Sequence, residues 1–394
     1  MIEEIMSLVK KHEQWRQKET INLIPSENVT SPAVRALLSS DFGHRYTSPD
    51  KVYMGTKYTD AIQLYGEKLA KDVFNSEMAD LRPISGHIAD LVFLACFTKP
   101  RDKVICISRE SGGYPGISNK GISATLGLKM LDFPFSKAEM NIKTEEAADF
   151  ILKEKPRAVI FGASLFLFPN PVRQLAKVAK EVGAIVGYDG SHVLGLIAGK
   201  QFQDPLREGA QVLFGSTHKS FFGPQGGIIL AEKTHGNILR KRIHPAYVDN
   251  AHWNRIAALS LTLAEMKEFG RVYARQVIQN AQVLAKTLAE EGFPVACPNL
   301  GYTRSHEVFL NFDGYKSRKG RAAAKKLEKA NIIVDCGVRL GVCEATRRGM
   351  RKEEMPKIAD FMNGAFKNGE KPSEVKRDIV KFMKDFQEIH YCFK

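Results

Sequence analysis

The chain has 394 residues, of which 44% are hydrophobic and 26% are charged, and it carries a net charge of +14. This length suits one large enzyme-type domain with a smaller one, and the balanced composition excludes intrinsic disorder and collagen-like or other low-complexity classes. The longest apolar runs, such as 89–97, are far shorter than the ~20 residues of a membrane-spanning helix. We therefore expect a folded, soluble protein.

Residues 1–9 carry two glutamates where a secretory signal needs basic residues, and their pattern is that of an amphipathic helix. We expect residues 1–50 to form an N-terminal arm that packs against something else, such as a second subunit. The six cysteines include no C-x-x-C pair and have no nearby histidine at the spacing of a zinc site. These features predict a cytoplasmic protein with neither a disulfide framework nor a metal site.

Basic residues are concentrated near the C-terminus, where residues 301–394 hold 21 Lys and Arg against 13 Asp and Glu. Such charge runs are usually solvated helix faces, with attraction of a polyanionic cosubstrate or weak RNA binding as the alternatives. The sequence has no zinc-finger spacing and no aromatic RNA-binding motif, so we expect no specific nucleic-acid partner.

Strands and helices alternate through the middle of the chain. Short apolar runs bounded mostly by Gly, Pro or Asp occur at 104–108, 158–163, 184–189, 212–216 and 227–231, with helical periodicity between several of them. Because these runs are continuously apolar, we expect them to be buried on both faces of a mostly parallel, doubly wound sheet. We assign this α/β domain to residues 51–280.

A different pattern begins near residue 280. A long helix at about 256–290 precedes a strand at 307–312, a helix at 318–330 and a strand at 332–335, and helices near 355–366 and 373–387 close the chain. This order predicts a smaller C-terminal α+β domain over residues 281–394.

One lysine, Lys219, follows a predicted buried strand and precedes a Gly-rich return. Desolvation there favours the neutral amine, which can form a Schiff base. Asp189 ends the preceding strand, and ligands of open α/β sheets bind at the carboxyl ends of the strands. An aspartate in that place can hold the proton of a pyridinium ring, which pyridoxal 5'-phosphate (PLP) requires.

A third feature is the Ser85-Gly86-His87 run, which opens a helix whose N-terminal amides can bind phosphate. Taken alone, Asp189 is more often a helix-capping acid, and Lys219 is as often a salt-bridge partner as a catalyst. Together the three features favour a PLP site.

Longer stretches carry a resemblance to a known family. They are LIPSENVTSP at 23–32, GYDGSHVLGLIAG at 187–199, STHKS at 216–220, and GVRLG at 337–341 with EATRRG at 344–349. In these the chain resembles the serine hydroxymethyltransferases, most closely the archaeal ones, over nearly its whole length. The resemblance implies the type I PLP-dependent, aspartate-aminotransferase-like fold and a homodimer. It also implies an enzyme that makes or breaks the Cα–Cβ bond of a β-hydroxy amino acid.

The resemblance implies roles for individual residues. Lys219 corresponds to the Schiff-base lysine, Asp189 to the partner of the pyridine nitrogen, and Arg339 to the arginine that binds the substrate carboxylate. Tyr53 corresponds to a tyrosine that reaches into the active site of the other subunit, and Ser26 and His218 complete the substrate pocket. The cofactor-binding set is completed by Ser85, Gly86, His87, Tyr114, Ser164, His192 and Ser216, of which His192 also belongs to the catalytic set with Lys219, His218 and Tyr53.

Three departures from the family pattern are visible. Family members have a glutamate shortly after the residue equivalent to Tyr46, and this acid handles protons in one-carbon transfer, but here Ser48 stands in a shortened segment. The loop 333–339 is contracted relative to archaeal members. Tyr114 also replaces a histidine that stacks on the cofactor ring. Two of these changes affect the side of the pocket that would hold a tetrahydropterin.

Three functions therefore stay open. The first is a hydroxymethyltransferase that interconverts serine and glycine with a tetrahydropterin carrier. The second is a pterin-independent aldolase or transaldolase that acts on threonine or another β-hydroxy amino acid. The third is a catalytically silent PLP-binding paralogue with a regulatory or structural role, which the intact Lys219, Asp189 and Arg339 argue against.

Overall fold

The computed structural model describes residues 1–366 and 371–394. Contacts within the chain divide it into two compact units. The larger unit consists of Asn28–Ala274 with Cys392–Lys394, and the smaller unit consists of Met1–Glu27 with Arg275–Tyr391. The boundary between residues 274 and 275 falls inside one long helix.

The described residues form short strands and helices that alternate over most of the chain. The strands are β1 Ile21–Asn22, β2 Met78–Asp80, β3 Lys103–Cys106, β4 Lys129–Asp132, β5 Phe135–Ser136, β6 Asn141–Ile142, β7 Ala158–Phe161, β8 Ile185–Asp189, β9 Val212–Ser216, β10 Gly227–Ala231, β11 Glu307–Phe309, β12 Ile332–Ile333 and β13 Arg339–Gly341. The α-helices are α1 Ile2–Glu13, α2 Pro32–Leu38, α3 Lys57–Phe74, α4 Gly86–Phe97, α5 Ile122–Thr125, α6 Thr144–Glu154, α7 Val172–Glu181, α8 Leu194–Ala198, α9 Pro205–Glu208, α10 Lys233–Ile243, α11 Trp253–Glu290, α12 Arg318–Lys329, α13 Cys343–Arg347, α14 Met355–Phe366 and α15 Pro372–Phe382.

The larger unit is built on a seven-stranded sheet with the strand order β2-β10-β9-β8-β7-β3-β4. The strands from β9 to β4 run parallel, whereas β10 is antiparallel to both of its neighbours. Every residue of β7, β8, β9 and β10 is buried, as continuous apolar runs require of strands covered on both faces. The predicted α/β fold with a mostly parallel sheet is therefore confirmed.

Helix α4 covers the centre of this sheet. Its Phe93 ring stacks on Phe214 of β9 with centroids 4.9 Å apart. Gly187 of β8 lies directly beneath, because a Cβ atom there would come within 2.5 Å of the Phe93 ring. Glycine at this position lets the helix approach the sheet closely, which fixes where the N-terminal end of α4 lies.

Two strands of the sheet, β2 and β4, had no counterpart in the sequence prediction. Both are edge strands. In β4 the side chains are exposed or half-buried, so the continuous apolar signal of a central strand is missing. Strand β2 has only three residues, which are too few to show the hydrophobic pattern of a strand.

The smaller unit holds two two-stranded sheets. β1 pairs in parallel with β12, which places Ile21 opposite Ile332. β11 pairs antiparallel with β13, which places Phe309 opposite Arg339. The predicted strand at 307–312 is shorter in the structure, and the β13 strand was not predicted. Residues 1–27 join this unit through the β1 pairing, and the predicted domain bounds at residues 50 and 280 stay a prediction.

The longest helix, α11, has 38 residues and mixes buried apolar side chains with charged ones along its length. Its buried positions include Leu259, Leu263 and Met266, at the spacing of one helix face. Over the residues described, none of the helices has both the length and the apolar character that crossing a bilayer demands.

Candidate active site

The carboxyl ends of β8 and β9 form the centre of the site in the larger unit. The two strands are parallel and in register, with Asp189 opposite Phe214. β8 ends at Asp189, which is buried and whose Oδ1 accepts a hydrogen bond of 2.9 Å from the Ser191 backbone N–H. β9 continues to Ser216, also buried. Ligands of open α/β sheets bind at the carboxyl ends of the strands, and Asp189 lies at such an end.

Lys219 lies in the loop that leads from β9 to β10. Thr217 holds this loop, since its backbone N–H donates to the Gly226 carbonyl at 3.1 Å and its hydroxyl donates to the Pro224 carbonyl at 2.7 Å. The carbonyl oxygen of Lys219 accepts a hydrogen bond of 2.7 Å from the Asn28 side chain. These contacts fix the lysine backbone at the carboxyl end of β9.

His218 precedes the lysine and is half-buried. Burial, and secondly the positive charge of Lys219, lower the pKa of His218 to about 4. Its Nδ1 is buried without a hydrogen-bond partner among the residues that the structure describes. At neutral pH this side chain is therefore an uncharged imidazole that a ligand can engage by hydrogen bonding.

The N-terminus of α4 forms a cradle beside these strand ends. Ser85 caps the helix, its Oγ accepting a hydrogen bond of 3.1 Å from the Ile88 backbone N–H. Gly86 packs so tightly that a Cβ atom would lie 2.3 Å from Ser216 Oγ. A Cβ atom at Gly227 would likewise lie 2.3 Å from the Ser85 carbonyl oxygen. Only glycine fits at both places, and a helix N-terminus next to β9 is a position that can bind an anion.

His87, in the first turn of α4, contacts Tyr114. His87 Nδ1 is 3.1 Å from the Tyr114 hydroxyl, and the rings meet edge to face with centroids 6.0 Å apart. Burial, followed by the charges of Asp90 and Asp189, raises the pKa of Tyr114 to about 12. The phenol is therefore neutral and shares its surroundings with the acid at the end of β8.

The end of β7 brings Ser164 to the same edge of the sheet. Gly162, which follows β7, has a φ of +106°, and a Cβ atom there would lie 2.1 Å from the Asp189 carbonyl oxygen. Ser164 is buried and its backbone N–H donates to the Gly112 carbonyl at 2.8 Å. His192 is buried three residues beyond β8. All of the predicted cofactor-binding residues thus belong to the larger unit.

Arg339 begins β13 in the smaller unit and is surrounded by acids. Its Nε donates to Asp335 Oδ2 at 2.6 Å, and one terminal nitrogen is 3.9 Å from Glu307 Oε1. The guanidinium also lies over the Tyr315 ring, 5.4 Å from the centroid. Burial lowers the pKa of Arg339, but the two carboxylates and the phenol more than offset this, so the pKa is raised. The guanidinium is permanently charged and already partly satisfied.

Ser26 belongs to the same part of the smaller unit. The segment before it runs along β13, because the Gly341 backbone N–H donates to the Leu23 carbonyl at 2.8 Å. A Cβ atom at Gly341 would lie 2.3 Å from the Cα of Pro25. Two sequence motifs that are far apart in the chain therefore meet beside Arg339.

Tyr53 lies apart from the buried cofactor residues of its unit. Its side chain is 42% exposed and its ring packs on Tyr46 with centroids 5.0 Å apart. The Tyr46 hydroxyl donates a hydrogen bond to Asp249. Ser48, where the family pattern has a glutamate, is buried and its hydroxyl donates to Asp50. The predicted role of Tyr53 in the active site of a second subunit stays a prediction.

Three acids near these groups were missed by the sequence analysis. Asp90 is buried in α4, and Asp335 and Glu307 flank Arg339. The one available signal for Asp90 was an isolated acid within an apolar helix, GHIADLVFLACF. The acids of the arginine pocket carried no signal, because β13 itself was not predicted.

The groups in the larger unit fit PLP. The cofactor needs an amine for its aldehyde, an acid for its ring nitrogen and an anion site for its phosphate. Lys219, Asp189 and the α4 N-terminus supply these at neighbouring strand ends, and Gly86 leaves open the cradle that a side chain would fill.

Comparison with known sequences gives a consistent result. A sequence model of the family described as "Serine hydroxymethyltransferase" matches residues 1–362. The serine hydroxymethyltransferase of Methanocaldococcus jannaschii is 45% identical over 407 residues, covering 98% of this chain and 94% of that protein. The serine hydroxymethyltransferase of Thermococcus kodakarensis is 43% identical over 413 residues, covering 99% of this chain and 96% of that protein.

Among solved structures, the L-threonine transaldolase of Pseudomonas fluorescens in its internal aldimine state is similar in fold. The TM-score is 0.91 at 25% sequence identity, and the match covers 100% of this chain and 93% of the transaldolase.

Proposed function

Because the chain belongs to the serine hydroxymethyltransferase family, we propose roles for its site residues in that family's reaction. The protein is a PLP-dependent enzyme of hydroxymethyltransferase type, which makes or breaks the Cα–Cβ bond of a β-hydroxy amino acid. Its substrate is accordingly an amino acid. The residue roles, the one-carbon carrier, the homodimer and the cytoplasmic location are proposals.

In the larger unit the proposed roles concern the cofactor. PLP supplies an aldehyde that condenses with amines and a ring that withdraws electrons from the substrate Cα. Lys219 would hold the cofactor through its amine, and Asp189 would keep the proton on the ring nitrogen. Ser85, Gly86 and the amides of the first turn of α4 bind the phosphate.

In the smaller unit the proposed roles concern the substrate. Arg339 binds the carboxylate, for which a planar guanidinium with several donors is suited, and Ser26 adds a hydroxyl to that pocket. Holding the carboxylate would restrict how the amino acid is oriented, and orientation of this kind contributes several orders of magnitude in rate.

Four further side chains of the larger unit, His218, His192, Ser164 and Tyr114, complete the proposed set. His218 can accept a hydrogen bond from the substrate without placing a second positive charge beside Lys219, since its pKa of about 4 keeps it uncharged. His192 and Ser164 are proposed to hydrogen-bond the phenolic oxygen of the cofactor. Tyr114 is proposed to contribute a π face to the cofactor ring.

The observation that supports this function is that Asp189 ends β8 and Lys219 follows β9, the neighbouring parallel strand, by three residues. We expect the purified enzyme loaded with PLP to convert serine to glycine when tetrahydrofolate or tetrahydromethanopterin is present. The measurement is glycine formation with each pterin and without any. A rate that is the same with and without both pterins would contradict a one-carbon carrier.

The alternative is a pterin-independent aldolase or transaldolase. Ser48 favours it, because this side chain replaces the expected glutamate and its hydroxyl is engaged by Asp50. The likeness to a threonine transaldolase fits this alternative without deciding for it. Release of acetaldehyde from threonine in the absence of any pterin is the expected result for this function.

The exposed apolar surface of the larger and the smaller unit supports a homodimer. In α3, Tyr58, Ala61 and Tyr65 are exposed at the spacing of one helix face. Helix α1 buries none of its residues in the single chain, although Ile2, Ile5 and Val9 are apolar. Contiguous exposed apolar faces are typical of contact surfaces, and a two-fold dimer is the commonest assembly.

Sedimentation tests the dimer. We expect the wild-type protein to sediment as a dimer and Tyr65→Lys to shift it toward the monomer, because a charge is placed on the proposed contact face. Leu152→Lys makes a comparable change at an exposed leucine of α6 and should leave the dimer intact. A wild-type monomer with full activity would contradict both the dimer and the proposed role of Tyr53.

A further inference from the structure

Asp90 is the acid that the proposed mechanism does not use. It is the only Asp or Glu in α4, and its side chain is 98% buried among apolar neighbours on the sheet side of the helix. Its Oδ1 is buried and has no hydrogen-bond partner in the part of the chain that the structure describes. An ionised carboxylate in such a place is costly, so the structure must either supply an opposite charge or keep the group neutral.

The packing of α4 fixes where this carboxyl lies. Gly86 contacts Ser216 at the end of β9, and Phe93 stacks on Phe214 two residues further back along the same strand. Asp90 shares this helix face, because it is four residues after Gly86 and three before Phe93. It therefore lies about 6 Å along the helix axis from the cradle, beside the carboxyl ends of β8 and β9.

The charged groups that face Asp90 come from three other segments. They are Asp189 at the end of β8, Lys219 after β9 and the phenol of Tyr114. Burial, and then the charge of Asp189, raise the pKa of Asp90 well above its usual range, while Lys219 acts in the opposite direction. Two carboxyl groups that share one dry site do not both ionise at neutral pH.

We propose that Asp90 is a positioning residue: it stays protonated at neutral pH and, as a neutral neighbour of Asp189, adds no second negative charge beside the acid that would hold the ring nitrogen of PLP. The proposal deepens the function given above and rests on the role proposed there for Asp189. Asp90 itself exchanges no proton with the substrate. A protonated Asp90 carries a hydrogen-bond donor that the ionised form lacks.

The first experiment uses the protein without cofactor, so that it does not depend on activity. The denaturant-unfolding constants of wild type and Asp90→Asn are compared from about pH 5 to pH 8. A native pKa above the unfolded value of about 3.9 means that unfolding releases a proton, and wild type then loses stability as pH rises. Asn resembles the neutral acid and lacks this proton, so the wild-type unfolding constant should rise up to about tenfold per pH unit relative to the variant.

Two further variants control this comparison. Asp149→Asn makes the same chemical change on the exposed surface of α6 and should leave the pH dependence as in wild type. Asp90→Leu is a second neutral replacement of similar size, which gives the same comparison if the asparagine variant does not fold. Parallel curves for wild type and a folded neutral variant would overturn the proposal, because Asp90 would then be ionised in the native protein.

The second experiment uses the holoenzyme and follows the visible absorbance of bound PLP as a function of pH. Asp90→Asn should keep the wild-type titration curve, because the side chain is still neutral and still offers a hydrogen-bond donor. Asp90→Leu lacks the donor and should bind PLP about tenfold more weakly. A titration displaced in Asp90→Asn as far as in Asp189→Asn would show that Asp90 carries charge and would overturn the proposal.

The two experiments separate this inference from the proposed function. If wild type binds no PLP at all, the proposed cofactor roles of Lys219 and Asp189 fail, while the unfolding comparison still decides whether Asp90 is protonated. If PLP binds and the unfolding curves are parallel, the cofactor roles stand and the role of Asp90 is wrong.

Discussion

Charged groups are treated in opposite ways at the two candidate pockets. At the candidate cofactor pocket, in the larger unit, burial drives two groups toward their neutral forms: the pKa of Asp90 is well above its usual range, and that of His218 falls to about 4. In the smaller unit, the pKa of Arg339 is raised, because neighbouring carboxylates and a phenol outweigh the effect of burial.

This difference in pKa shifts indicates which charged contacts a ligand would have to supply in each pocket. A buried group that has no counter-charge is costly when ionised, so it either stays neutral or is paired by a bound ligand. In the cofactor pocket, Asp90 and His218 stay neutral, and charged partners for the remaining groups would come from the bound cofactor. The arginine pocket contains its own carboxylates, so a substrate carboxylate bound by Arg339, as proposed, would have to compete with them for the guanidinium.

The largest expected effect comes from removing the amine of the cofactor pocket. Lys219→Ala should abolish PLP-linked turnover, a loss of about a thousandfold or more, because no other side chain takes over the covalent attachment. Turnover and the visible cofactor absorbance are the measurements. Lys177→Ala on the exposed surface of α7 is the matched control and should retain both. Turnover in Lys219→Ala close to that of the control would refute the lysine assignment.

The next effect concerns His218 and the dependence of stability on pH. Its native pKa of about 4 lies below the usual 6.5, so acidification protonates the unfolded chain before the native one. Stability is therefore lost as pH falls from about 6.5 toward 4, by at most about 3 kcal/mol, and is fully present above that range. His218→Gln should not show this loss in denaturant unfolding measured across the same interval.

The exposed His12 provides the control for this measurement. His12→Gln should have the same pH dependence as wild type. If His218→Gln and wild type lose stability in parallel below pH 6.5, then burial does not hold His218 neutral. The contrast between neutral groups in the cofactor pocket and the charged Arg339 would then not include His218.

The sequence located the larger unit's site better than the smaller one's for a physical reason. Lys219 and Asp189 adjoin strands that are buried on both faces, and such strands leave a continuous apolar run that ends where the ligand edge begins. Their positions at strand ends could therefore be inferred, while their chemical roles stay predictions. The cradle at Ser85 and Gly86 was found because a helix start leaves a local signature.

Other site residues depend on contacts that no local pattern records. In the sequence, Asp90 is a single polar residue in an apolar helix. Its proposed role depends on its proximity to Asp189 at the end of β8, which the sequence does not show. Arg339 was placed by resemblance alone, since β13 is three residues long and is defined by pairing with β11. Asp335 and Glu307 became visible as its partners only once that pairing was known.

The smallest expected effect sharpens the comparison at the arginine pocket. Asp335→Asn keeps an oxygen that can accept the hydrogen bond from Arg339 Nε, but it removes one of the two flanking negative charges. A substrate carboxylate then meets less competition, so the KM for the amino acid should fall about two- to fivefold, the size of one partly screened charge interaction, with kcat little changed. Arg339→Lys is the comparison variant, and its KM should rise about tenfold because the planar fork is lost. A raised KM in Asp335→Asn would mean that the acid orients the guanidinium more than it competes for it. The smaller unit would then be preorganised for its ligand, as the larger unit is for the cofactor.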